Sequence, residues 1–316
     1  MAAAINALFD KRRIALARAR LSAWWEGEIF DEDAARTEIH ARLAAADDSA
    51  DDAALFEPLP YRAPPRLAAL AALWGEQRIR PADFSADAFD PAQIELAGGG
   101  DLAVLGPGGF APLGAVAAAH PGAIDVFEWR EETFAALEHG IAVAKLGDRV
   151  TATRIDLEAH VFPSNRYDGF ISTDDFAYCG RPPHLAQQIA KCLRPGACAV
   201  VESYVGPRGD DLAAAFASSF AEPHIPAHGD LLQFFRGAGL AVDADEDLTE
   251  RFLDNARTCF KALGDKLSCG SALDVAALRE LAWEAEVWRM RLRLLAQRRL
   301  ERRRFILRKA AEPAST

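Results

Sequence analysis

Between Asp101 and Tyr204 the chain alternates short apolar runs with stretches of helical periodicity, and this alternation constrains its fold more than anything else in the sequence. Apolar runs of five or six residues are too short for buried helices, and the intervening segments are long enough to carry crossovers between parallel strands. The expected strands are Asp101–Leu105, Ala123–Glu128, Val150–Ile155, Tyr167–Ser172 and Cys198–Ser203. Helices are expected over Leu113–His120, Glu132–Lys145 and Pro183–Leu193. The fold class is therefore α/β, a doubly wound and mostly parallel sheet. Beyond it, Leu231–Ala238 reads as another crossover helix, Leu240–Asp243 as a strand and Glu250–Gln297 as a long helical region. Arg304–Leu307 is expected as a last strand, antiparallel and at or near an edge.

Upstream, Ile5, Leu8, Phe9, Ile14, Leu21, Trp24 and Trp25 recur at helical steps, and an aspartate-rich stretch, Ala44–Ala54, precedes Pro58, Pro60, Pro64 and Pro65. These features divide the chain into a helical N-terminal lid, 1–95, and a sheet domain, 96–316, with helical insertions at about 205–230 and 250–297. The absence of a long uncharged apolar run counts against a membrane span, and five cysteines without a C-x-x-C pair fit a reducing, cytoplasmic setting. His224 and His228, in "HIPAH" just before Asp230, invite a metal reading, but Pro226 breaks the helix that would align them, and no metal is expected.

Chemistry concentrates at the expected strand ends. Gly106-Pro107-Gly108-Gly109 follows the first strand and opens a helix, a context that favours residues without Cβ where backbone meets a ligand. Glu128 closes the second strand, where an acid can accept both hydroxyls of a ribose. Asp156 closes the third, within "GDRVTATRID".

With "YDGFIS" for strand 4 and "LRPGA" before strand 5, the run from Leu102 to Val201 resembles the class I S-adenosylmethionine-dependent methyltransferases. The later segments "AGLAVDADEDLT" and "RRRFILRK" resemble, more loosely, the last strands of the small-molecule enzymes of that class. The resemblance implies a seven-stranded Rossmann-like sheet and S-adenosyl-L-methionine as cofactor. By it, Gly106 and Gly108 approach the methionine end, Glu128 holds the ribose, Asp156 with Leu157 binds the adenine, and Thr173 borders the methyl group, with Pro107 and Trp129 also among the cofactor-binding residues. Asp174, Tyr178 and His184, after strand 4, are the candidate catalytic residues. Two positions depart from the family pattern: Val104 stands where an acid is usual and Phe110 at the third glycine position.

The expected activity is methyl transfer to a small molecule, anionic or aromatic if Trp283, Trp288, Arg289 and Arg293 line its pocket. Other readings are a non-catalytic binder of S-adenosylmethionine or S-adenosylhomocysteine on a degenerate fold, and an RNA or protein methyltransferase. The latter would use Arg289–Lys309, which holds ten basic residues against Glu301 alone and leaves −20 on the rest of a chain of net charge −11. That stretch reads better as a solvated helix face and a charged strand edge, and the net charge counts against nucleic acid. A nicotinamide enzyme is disfavoured by the missing third glycine and by Asp156. Homo-oligomer formation is left open.

Overall fold

A computed structural model of the chain describes residues 31–38, 41, 63–81, 99–207, 209–210, 224–268 and 273–311. The chain divides into two compact units, Met1–Tyr61 and Arg62–Thr316. In the first, residues 32–38 and 41 are helical, and residues 1–30, 39–40 and 42–43, also expected to be helical, lie outside the described segments.

The larger unit is built on seven strands, β1 (Leu102–Leu105), β2 (Ile124–Glu128), β3 (Val150–Arg154), β4 (Tyr167–Thr173), β5 (Leu193–Val205), β6 (Leu240–Asp247) and β7 (Glu301–Lys309). Their order is β3-β2-β1-β4-β5-β7-β6. The first five run parallel, and β7 lies antiparallel between β5 and β6, one place in from the edge. The reversal of strand order at β1 and β4 opens the crevice where sheets of this kind hold ligands.

Each strand follows from its side chains. Along β1 the residues alternate between two cores, Leu102 and Val104 on one face of the sheet, Ala103 and Leu105 on the other, so all four are buried. Helices α2 (Phe110–Ala119) and α3 (Glu131–Val143) cover the first face through Leu113, Val116, Leu137 and Ile141. Helix α5 (Pro182–Cys192) and α6 (His228–Gly237) cover the second through Leu185, Ile189, Leu231 and Phe235. Between β4 and α5 a single turn, α4 (Asp175–Tyr178), is inserted.

A third core joins α1 (Pro65–Trp74), α7 (Thr249–Ser268) and α8 (Val275–Ala296), where Trp74 packs edge-on against Trp288 and Phe260. Tyr204, near the end of β5, belongs to this core, which places the helical layer at the carboxyl edge of the sheet. The expected long helical region is thus two helices. No helix among the described residues is long and apolar enough to cross a membrane.

Candidate active site at the carboxyl edge of the sheet

The turn after β1 takes left-handed backbone at Gly106 (φ 56°), Gly108 (φ 76°) and Gly109 (φ 117°), conformations that side chains with a Cβ rarely adopt. Close approach adds a second reason for glycine. A Cβ on Gly106 would collide with the Asp175 carboxylate, and one on Gly108 would lie 2.6 Å from the guanidinium carbon of Arg80. The space above the glycines is therefore filled by the chain itself.

Arg80 comes from the irregular segment after α1 and is buried. Its Nη2 donates to the carbonyls of Gly106 (3.2 Å) and Pro107 (2.6 Å), and its Nη1 to the carbonyl of Thr173 (3.2 Å) and to Asp174 Oδ2 (3.0 Å). Burial pushes the Arg80 pKa down to about 10, helped by the neighbouring Arg130 cation. Its charge persists at neutral pH.

Glu128 closes β2 on the same edge, as the resemblance implies, and is fully buried. Its Oε1 accepts from the amides of Trp129 and Arg130 (both 3.0 Å) and from Arg130 Nε (2.8 Å), and its Oε2 from Arg130 Nη2 (3.3 Å). Burial opposes the charge on Arg130, but Glu128 outweighs it and the pKa of Arg130 is raised. Trp129 reaches across to the end of β4, donating from Nε1 to Asp175 Oδ1 (3.0 Å), and its ring lies 4.9 Å from that of Tyr178.

At the end of β4, Asp174 sits in the left-handed region (φ 71°), strained for any residue with a side chain, and its carboxylate is clasped between Arg80 and Arg302. Arg302 also reaches Glu202 Oε2 (3.0 Å), whose other oxygen takes two bonds from Arg304 (2.9 and 2.8 Å). Asp175 is fully buried and accepts from Ser172 Oγ (2.8 Å) and the Thr173 amide (3.1 Å). Burial raises its pKa, against the pull of Arg130, Ser172 and Trp129.

The other expected site residues are spread along this edge. Asp156 is exposed after β3 and accepts from the Glu158 amide (2.9 Å), while Leu157 is buried in the core. His184 is half-buried in the first turn of α5. His228 pairs with Asp245 (2.7 Å) and stacks on Phe305, so it braces β6 and β7. Beside Trp129 and Tyr178 a cleft of about 630 Å³ opens toward α1 and α8, bordered by Arg130, Trp283, Trp288 and Arg291.

Both departures from the family pattern have physical counterparts. Phe110 packs its ring onto Gly140 of α3, where a Cβ would lie within 2.7 Å of it, so the close helix approach has moved to a glycine on the partner helix. Val104 points into the apolar core, and the carboxylate beside the glycine turn is Asp175 instead. The Asp174–Asp175 doublet hinted at this second role. Nothing local marked Arg80, Arg130 or Arg302.

The seven-stranded sheet, parallel except at β7, has the Rossmann-like fold of solved methyltransferase structures. Among solved structures, the chain is similar to a phosphoethanolamine N-methyltransferase of Haemonchus contortus, with a TM-score of 0.63 and 17% identity over 77% of this chain and 57% of that one. A Galdieria sulphuraria protein, provisionally assigned as a sarcosine dimethylglycine methyltransferase, gives a TM-score of 0.61 and 16% identity over 72% of this chain and 85% of that one. The cyclase SpnF gives 0.60 and 19% over 77% and 93%. The chain thus spans little more than half of the Haemonchus enzyme, and a cyclase on the same fold shows that the fold does not fix the reaction. No protein-family model and no curated protein matches the chain.

Proposed function

We propose that this protein binds S-adenosylmethionine at the carboxyl edge of β1, β2 and β4 and transfers its methyl group to a small molecule held in the adjoining cleft. The observation that carries this reading is convergence: the carbonyls of Gly106, Pro107 and Thr173 and the carboxylate of Glu128 meet on one edge at the switch point of the sheet. Their chemistry fits the cofactor, since clustered carbonyls accept from an ammonium and a strand-end acid accepts from ribose hydroxyls. Asp156 and Leu157 would hold the adenine, and Trp129 would cover the sugar.

When bound, the cofactor supplies an electrophilic methyl group on sulfonium. This chain's residues then need chiefly to orient the acceptor and exclude water. Trp129, Tyr178, Trp283 and Trp288 border the cleft with Arg130 and Arg291, suiting a compact aromatic or charged acceptor. Similar structures include enzymes named for phosphoethanolamine and sarcosine, small charged molecules of that kind. Where a proton must leave the acceptor, Tyr178 is the better-placed candidate base, because it borders the cleft, whereas Asp174 is committed to two arginines.

A second reading rests on those same arginines. With the anchoring groups engaged by Arg80 and Arg130, the chain also suits a non-catalytic role on the methyltransferase fold, in line with Val104. Calorimetric titration with S-adenosylhomocysteine, S-adenosylmethionine and NAD tests the cofactor, and formation of S-adenosylhomocysteine from S-adenosylmethionine in the presence of small charged acceptors separates catalysis from binding alone. The methyltransferase reading requires binding of the first two, weakened about tenfold or more in Glu128→Gln by loss of charged hydrogen bonds. Absence of heat at millimolar ligand, in the wild type and in Arg80→Met alike, refutes it.

A further inference from the structure

We propose that Arg80 and Arg130 form a latch that occupies the polar anchor points of the cofactor site in the cofactor-free protein and swings out when the cofactor enters. This rests on the cofactor reading above and adds how access to that site is controlled.

The hydrogen-bond pattern of Arg80 is the first argument. One guanidinium collects three main-chain carbonyls from two strand ends and a carboxylate, the group of acceptors that a ligand ammonium would require. Arg130 does the same at Glu128, giving both carboxylate oxygens the donors that ribose hydroxyls would give. Two independent anchor points are thus filled by cations of the chain itself, one from twenty-six residues upstream of the glycine turn and one from two residues beyond the acid.

The second argument is that Arg80 sits on an irregular segment, although Ile79 within it packs against the third core. Residues 75–81 form neither helix nor strand, and left-handed backbone at Gly75 (φ 102°) and Gln77 (φ 57°) marks two bends. The segment is tied to the glycine turn by two main-chain bonds, Ile79 N–H to Gly108 O (3.1 Å) and Ala111 N–H to Gln77 O (3.2 Å). A few such bonds at an element's end give way at low cost compared with a packed core. Arg130 borders the open cleft and so has room to turn.

Charge supplies the third argument. The buried network sets four arginines, Arg80, Arg130, Arg302 and Arg304, against four carboxylates, Glu128, Asp174, Asp175 and Glu202. Withdrawing Arg80 alone leaves an excess of buried negative charge, which S-adenosylmethionine, with its sulfonium and ammonium set against one carboxylate, would restore to balance. Exchange of one cation for another lets the site open only when its ligand arrives. Burial and the neighbouring Arg130 both disfavour the charge on Arg80, so its release into water recovers hydration.

The test combines calorimetry with hydrogen exchange on the intact chain, using S-adenosylmethionine as the probe. A closed latch lowers apparent affinity by the fraction of molecules that are open, so Arg80→Met should bind about tenfold or more tighter than the wild type. In the wild type, saturating ligand should speed exchange of the amides at 77–80, and Arg80→Met should show that faster exchange without ligand. Unchanged or weaker binding by Arg80→Met would make Arg80 a brace or a cofactor holder and would overturn the latch, while leaving the cofactor reading intact. Should Arg80→Met fail to fold, the wild type still decides: ligand binding without a change at 77–80 overturns the proposal. If the wild type, Arg80→Met and Arg80→Met/Arg130→Met all fail to bind at millimolar ligand, the cofactor reading falls and the latch falls with it.

Discussion

At the scale of single residues, Gly106 shows how one position can serve both backbone and site. Its left-handed φ disfavours any Cβ, and the Asp175 carboxylate occupies the space a Cβ would take. Gly106→Ala should therefore destabilise the fold by about 1–3 kcal/mol, from backbone strain together with displacement of a buried acid. Urea denaturation measures this. Gly147 offers a control in the same unit, because a Cβ there meets no atom and its φ is not left-handed, so Gly147→Ala should shift stability by only about 0.5 kcal/mol or less. Equal losses at the two positions would show that the glycine turn is not specially constrained. The contrast explains why a glycine turn is legible in sequence while its occupant is not. Glycine leaves a local signature of spacing, whereas Asp175 and Arg80 reach it through the third dimension.

At the scale of elements, the same division separates what the sequence disclosed from what it concealed. Strands β1, β2 and β4 were legible because each is an apolar run bounded by turn residues, and the acid closing β2 falls where the run ends; β5 was legible from Cys198 onward but begins at Leu193, so that Arg194-Pro195-Gly196, expected as a turn, lies within the strand. β7 was only partly legible. Its arginines suggested a charged edge or a solvated face, but Arg302 and Arg304 point inward to Asp174 and Glu202 and are almost fully buried. No periodicity rule anticipates that, since the partners lie a hundred or more residues away. The insertion of β7 between β5 and β6 is what brings them together. Because Arg302 neutralises two buried acids at once, Arg302→Met should cost about 3–5 kcal/mol, the range for breaking a buried ion pair from one side. Arg308→Met, which loses a half-exposed partner in Asp243, should cost about 1 kcal/mol or less. Comparable losses in the two variants would argue that the buried network is not what seats β7 in the sheet.

Over the whole molecule, the concentration of positive charge near the C-terminus dissolves once the partners are placed. Arg298 pairs with Asp247 and Glu250, Arg299 with Asp210, Arg303 with Asp245, and Arg308 with Asp243. These arginines thus neutralise acids of β6 and its surroundings, which counts against an RNA footprint on that part of the stretch. It also makes stability dependent on ionised carboxylates. The Asp168 carboxylate, in β4, accepts from Arg194 and from the Asp101 amide (2.8 Å), and that of Asp247 accepts from the Thr249 amide (2.8 Å) and from Arg298. Burial alone would raise both pKa values, yet these hydrogen bonds outweigh it and hold them below the ordinary aspartate value of 3.8. The folded chain therefore binds fewer protons than the unfolded chain between the lowered values and 3.8, so stability rises with pH through that window. The contribution is fully present above the window and is lost as pH falls through it. Asp168→Asn/Asp247→Asn should accordingly lower stability at neutral pH and flatten the acid limb of the stability curve below about pH 4, as read from urea midpoints across pH. An acid limb as steep as that of the wild type would place the linked protons on other carboxylates.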